Sequence, residues 1–138
     1  MRRRLAEAHE AAAANPWEVK LGPGRMMDIE LVAQTGALLH GLAGQRRPRQ
    51  MLQHLGRLGW LGRPEAAALT AALERLAALQ QIGRLASDRT IDPAEGGEGL
   101  VRLVLAATDE PDLDSLRRRL AEDATQAAAT IADRLARP

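Results

Sequence analysis

From Met26 to about Ala43, apolar side chains recur at intervals of three and four, at Met26, Ile29, Val32, Ala33 and Ala37, with Leu38, Leu39 and Leu42 closing the stripe. A face of that width predicts an amphipathic helix. The Gly41–Pro48 stretch interrupts it, and a second helix is predicted over Pro48–Leu58, with proline tolerated in the first turn. A turn over Gly59–Arg63 holds Trp60. A long helix then runs from Pro64 to about Ala86, carrying Leu69, Leu73, Leu76, Leu79 and Ile82 at helical spacing. Asp92-Pro93 and Gly96-Gly97 mark a loop, followed by a short helix over Glu98–Ala107. The last helix opens at an N-cap, Asp112 or Asp114, and its stripe is Leu113, Leu116, Leu120, Ala124, Ala127, Ile131 and Leu135.

The N-terminal end reads differently. Residues 2–14 form an Ala-rich helical pattern that Asn15-Pro16 ends, because proline disfavours helix in the residue before it. Trp17–Leu21 alternates large apolar with charged side chains and is the only stretch that reads as a strand. A lone strand leaves its backbone groups unpaired, so it points to a sheet outside this sequence. The expected fold is all-α, an antiparallel helical bundle over residues 26–138, preceded over residues 1–25 by a helix-strand remnant of another domain and a linking turn.

Composition narrows the functional classes. The 138 residues suffice for one core. No cysteine is present, so no disulfide or thiolate site exists, in keeping with a cytoplasmic protein. With 19 basic and 18 acidic residues the net charge is +1, which argues against nucleic-acid binding. No apolar run reaches the length of a signal peptide or a membrane span. Trp17 and Trp60 are the only aromatic residues, so the core rests on Leu and Ala, as suits packed helices.

The densest unusual chemistry lies in the run K-L-G-P-G-R-M-M-D-I-E-L-V-A-Q, Lys20 to Gln34. Lys20 is the only lysine of the chain. A Gly-Pro-Gly turn opening a helix presents backbone N–H groups that suit phosphate, and Lys20 and Arg25 flank it with positive charge. The plainer reading is an ordinary turn whose Asp28 and Glu30 complement the helix dipole. Asp28 and Glu30 project to opposite sides of a helix and do not form a paired-carboxylate site.

This run resembles the signature of glutamine synthetase adenylyltransferases, through Lys20, Gly22, Pro23, Gly24, Asp28, Ile29, Glu30 and Gln34. The likeness is tight over residues 16–34 and rests on helical pattern alone beyond them. It implies that the chain is the C-terminal helical region of such an enzyme, joined to an upstream nucleotidyltransferase domain. Lys20, Gly22, Gly24, Arg25, Asp28, Glu30 and Gln34 would then line or support the nucleotide side of that junction. The intact enzyme is expected to use ATP and Mg²⁺ to transfer AMP to, and remove it from, a tyrosine of glutamine synthetase, under control by the PII signalling protein. The family often carries a second glycine where Arg25 stands. A related signature occurs in PII uridylyltransferases; the Asp-Ile-Glu-x-x-x-Gln ending favours the adenylyltransferases.

The Gly-Ser-x-x-Asp-x-Asp element that holds Mg²⁺ in this superfamily is absent from the sequence. No catalytic or metal-binding residue is therefore expected here, and no cofactor for the fragment itself. Asp109, Asp112 and Asp114 read as caps and loop residues. His9, His40 and His54 lack metal-ligand spacing. Arg46, Arg47 and Arg49 form a basic cluster around Pro48, and Trp60 reads as an inter-helix plug. The rival expectation is a freestanding helical interaction module without catalysis.

Overall fold

A computed structural model describes residues 3–4, 15–42, 44, 47–87 and 92–137. Its helices are α1 (Met26–Leu39), α2 (Pro48–Leu58), α3 (Arg63–Ala86), α4 (Glu98–Thr108) and α5 (Leu113–Ala136), with a 3-10 turn, Pro93–Gly96, between α3 and α4. The long α3 is central and touches each of the other four helices; α1 also packs on α2 and α5. Ile29, Val32, Leu52, Leu55, Leu69 and Leu116 are fully buried where these helices meet.

Local chemistry sets the ends. Pro48 and Pro64 stand in the first turns of α2 and α3, where a missing N–H costs nothing. Asp112 caps α5 by accepting the Ser115 N–H at 2.7 Å. Asp109, left-handed at φ 55°, closes α4. His40 follows the last residue of α1, which stops at Leu39 because Gly41 turns left-handed. The Leu42 N–H then donates to Ala37 O at 2.9 Å and the Gly41 N–H to Leu38 O at 3.3 Å, a Schellman-type stop. Ala43 lies outside the described residues.

Two expectations are corrected. Leu38 and Leu39 do not close the core stripe: they are 84% and 55% exposed. Their place is taken by Gly36 and Ala37, because α1 and the α2–α3 turn approach closely there. A Cβ on Gly36 would stand 2.6 Å from both Leu55 Cδ1 and Trp60 Cζ3. The second correction concerns Trp17–Leu21, which forms turns and bends; no strand occurs among the described residues. Glu18 explains the difference, since its Oε1 accepts the N–H groups of both Lys20 (2.9 Å) and Leu21 (3.0 Å). A carboxylate that satisfies the backbone locally removes the need for a partner strand. Trp17, only 6% exposed, joins the helical core itself. Of the predicted helix over residues 2–14, Arg3 and Arg4 are helical and the rest, with His9, falls outside the described residues.

Candidate functional site

The Lys20–Gln34 segment is a turn that folds back on itself before α1 begins. Met26 N–H donates to Val19 O (3.1 Å) and Met27 N–H to Lys20 O (3.2 Å). Asp28 Oδ2 accepts the Gly24 N–H at 2.9 Å. The N–H groups of Gly24, Arg25, Met26 and Met27, donors that a phosphate would seek at this helix start, are thus engaged within the chain. Asp28 reaches back to the turn rather than outward.

Gly24 takes φ 71° and is buried against α5, where a Cβ would lie 2.8 Å from Ala124 C and 2.9 Å from Ala128 N. Only a residue without a side chain permits that approach. The small Ala124 and Ala128 on α5 serve the same contact from the other side, so part of the alanine-rich face is occupied within the chain. Ala127 is buried, whereas Ala132 is exposed.

Arg25 is turned inward. Its Nη1 donates to Asn15 O at 3.0 Å and to the Glu18 carbonyl, tying residues 15–18 to the start of α1. Burial lowers its pKa from the ordinary arginine value, an effect that the negative charge of Glu18 partly offsets. Its side chain also covers Gly22, whose φ is 117°.

The other residues of the motif spread out. Ile29 is a core residue. Glu30 is half-buried and Gln34 exposed along α1. Lys20 is exposed and lines a pocket of about 220 Å³ shared with Trp17, Glu18, Gln80 and Arg84. The structure therefore links Gly22, Gly24, Arg25 and Asp28 to one another, while the side chains of Lys20, Glu30 and Gln34 take no part in those links. Arg84 was not legible as lining the same pocket as Lys20; the only sequence signal was Gly83, a glycine inside an otherwise strong helical pattern.

Several of the remaining candidates have structural partners. His40 Nδ1 is 2.9 Å from Gly36 O and its ring stands 5.9 Å from that of Trp60. Arg49 pairs with Glu74 at 3.0 Å, and Arg46 lies outside the described residues. Asp114 pairs with Arg117 at 3.1 Å. Among the described residues no three Asp, Glu, His or Cys side chains gather as a metal site, so they do not by themselves fit Mg²⁺. No described helix is long and apolar enough to cross a membrane.

Comparison with known proteins places this geometry. A family model described as GlnD PII-uridylyltransferase matches residues 1–93, more than half of the chain. The chain belongs to this family. It is also 37% identical over 123 residues to the bifunctional glutamine synthetase adenylyltransferase/adenylyl-removing enzyme of Bradyrhizobium sp. (strain BTAi1 / ATCC BAA-1182), covering 86% of this chain and 12% of that protein. A protein of the same name from Rhizobium meliloti (strain 1021) is 40% identical over 115 residues, covering 77% and 12%. Another, from Rhodopseudomonas palustris (strain HaA2), is 32% identical over 123 residues, covering 86% and 12%. The resemblance carried by Lys20 to Gln34 thus extends along most of the sequence. The chain spans about 12% of the length of these relatives. No solved structure matches it.

Proposed function

We propose that this chain is the C-terminal helical domain of a glutamine synthetase adenylyltransferase, and that residues 15–34 form the knot through which the bundle meets an upstream nucleotidyltransferase domain. On this reading the domain boundary falls near residue 25. The observation that carries it is the Gly24–Asp28 turn, clamped to α5 inside a segment whose sequence resembles the adenylyltransferase signature. A turn with the N–H groups of Gly24, Arg25, Met26 and Met27 satisfied and its glycine wedged against a helix is suited to hold a wall in place. It is poorly suited to grip phosphate by itself. ATP and Mg²⁺ belong with the Gly-Ser-x-x-Asp-x-Asp element, so no step of AMP transfer is assigned to this chain. Its role is positioning, in adenylylation and in the reverse reaction, with PII as the regulatory partner of the whole enzyme and the cytoplasm as its compartment.

The test is complementation in trans. A Bradyrhizobium adenylyltransferase truncated of the matching 123 residues is mixed with this chain, and AMP incorporation into glutamine synthetase is followed. Restored transfer, lost again with Gly24→Val, is the expected result. A chain that leaves the truncated enzyme inactive, while the intact enzyme works under the same conditions, overturns the reading. The family model's description supports a second reading, the corresponding part of a PII uridylyltransferase. The same experiment with a truncated uridylyltransferase, scored by UMP transfer to PII, separates the two.

A further inference from the structure

Residues 17–21 of the knot also line a pocket beside Lys20, to which the positioning role above assigns no ligand. It lies where residues 17–21 cross the C-terminal turns of α3 and the start of α4, and its volume is about 220 Å³. That is roughly seven times the volume of about 30 Å³ that a water molecule occupies in the liquid. Trp17, Leu79, Ile82 and Val104 give it a buried apolar floor. Lys20 and Arg84 stand at its rim, both exposed, and neither makes an ion pair among the described residues.

Glu18 also lines the pocket, and its charge has to be counted. Its Oε1 is bound by the backbone N–H groups of Lys20 and Leu21, which fixes it to the turn. Among the described lining residues, two cations against one carboxylate leave a single net positive charge. An apolar floor under a singly positive rim matches a small monoanion with an apolar body. Arg117, which sits 5.4 Å from the Trp17 ring, is no competitor for such a ligand, because Asp114 and Asp92 already engage it.

We propose that this pocket binds a small free monocarboxylate, its apolar part against Trp17 and Ile82 and its carboxylate between Lys20 and Arg84. Gly83 shapes the site. It belongs to α3, lines the pocket, and a Cβ placed on it would meet none of the described residues within 4 Å, so they leave open space there.

The test uses the whole chain carrying Trp60→Phe, which leaves Trp17 as the single fluorophore. Hexanoate is titrated while Trp17 emission is followed, with hexanol, hexylamine and hexyl phosphate as parallel probes. Saturable binding of hexanoate is expected, with hexanol about tenfold weaker because it lacks the charge-assisted hydrogen bonds. Lys20→Met and Arg84→Met keep an apolar stem in place and are each expected to weaken hexanoate about tenfold. Gly83→Leu fills the space and is expected to abolish binding while leaving the helical circular dichroism intact. Equal binding of hexanoate and hexanol, no response of Trp17, or a Gly83→Leu protein that still binds would each overturn the proposal. Tighter binding of hexyl phosphate than of hexanoate would overturn the carboxylate assignment. None of these outcomes depends on AMP transfer, so failure here leaves the adenylyltransferase reading untouched, and the converse holds as well.

Discussion

Gly24 touches the backbone of Ala128 across the bundle: a single added carbon on the glycine would stand 2.9 Å from the Ala128 nitrogen. The contact joins the turn before the first helix of the bundle to the middle of its last. Gly24→Ala combines a left-handed backbone with a collision against main-chain atoms that cannot rotate away. We expect it to lower stability by about 2–4 kcal/mol, from the left-handed penalty plus overpacking. Urea unfolding followed by circular dichroism measures this; a midpoint equal to that of the parent chain would rule out the close approach.

Arg75 and Asp123 form the main polar tie between α3 and α5. Arg75 Nε donates to Asp123 Oδ2 at 2.7 Å and Nη2 to Oδ1 at 3.3 Å, with both side chains largely shielded. Such a two-pronged geometry strengthens an ion pair, and its partial burial makes a lone survivor costly. Asp123→Ala is expected to lose about 2 kcal/mol, discounted for the remaining exposure. A double-mutant cycle with Arg75→Met should return a coupling of about 1 kcal/mol, and an additive cycle would contradict the pairing.

Gly83 offers a change in the opposite direction. Helical glycine is less favourable than alanine by about 0.8–1 kcal/mol, and among the described residues nothing lies within 4 Å of where the methyl group would stand. Gly83→Ala should therefore raise the thermal midpoint. A drop would mean that the space above Gly83 is filled by another part of the protein.

Asp112 makes stability depend on pH. Hydrogen bonds from Ser115 hold its carboxyl below the ordinary aspartate value. Because the folded-state pKa is the lower one, the cap contributes fully above the unfolded value of about 3.9 and is lost as pH falls through the folded value. Asp112→Asn can still accept the Ser115 N–H but does not titrate. Its unfolding midpoint, compared with that of the parent chain from pH 6 down to pH 2.5, should converge on the parent's at the acid end. Parallel curves over that range would show that the cap does not titrate with folding.

The helices were legible because their signals are local. Pro48, Pro64 and Asp112 act on the turn they stand in, and the leucines of α3 and α5 repeat at the helical period over many turns. Trp17–Leu21 was misread because alternation was the only pattern visible there. What overrides it is one carboxylate, Glu18, curling onto its neighbours, and any sequence with glutamate in that place could have gone either way. Leu38 and Leu39 continue the apolar run to the last turn of α1 yet face outward, and only the close fit of Gly36 against Trp60 decides which side of α1 faces inward. The candidate site divides in the same manner. The turn at Gly22 to Gly24 was readable from glycine chemistry, but its contact with Ala124 and Ala128 joins residues about a hundred positions apart. Spacing within a single helix carries no information about such a meeting.

The two tryptophans share an arrangement whose use is spectroscopic. Arg117 lies 5.4 Å from the Trp17 ring and Arg134 lies 5.6 Å from that of Trp60. Both arginines belong to α5, seventeen residues or about 25 Å apart along its axis. Each end of the last helix thus sits beside its own emitter, and the chain contains no others. Fraying from the amino end would alter one lifetime and fraying from the carboxyl end the other. The order in which this helix lets go of the bundle is therefore recorded in its native fluorescence, without any label.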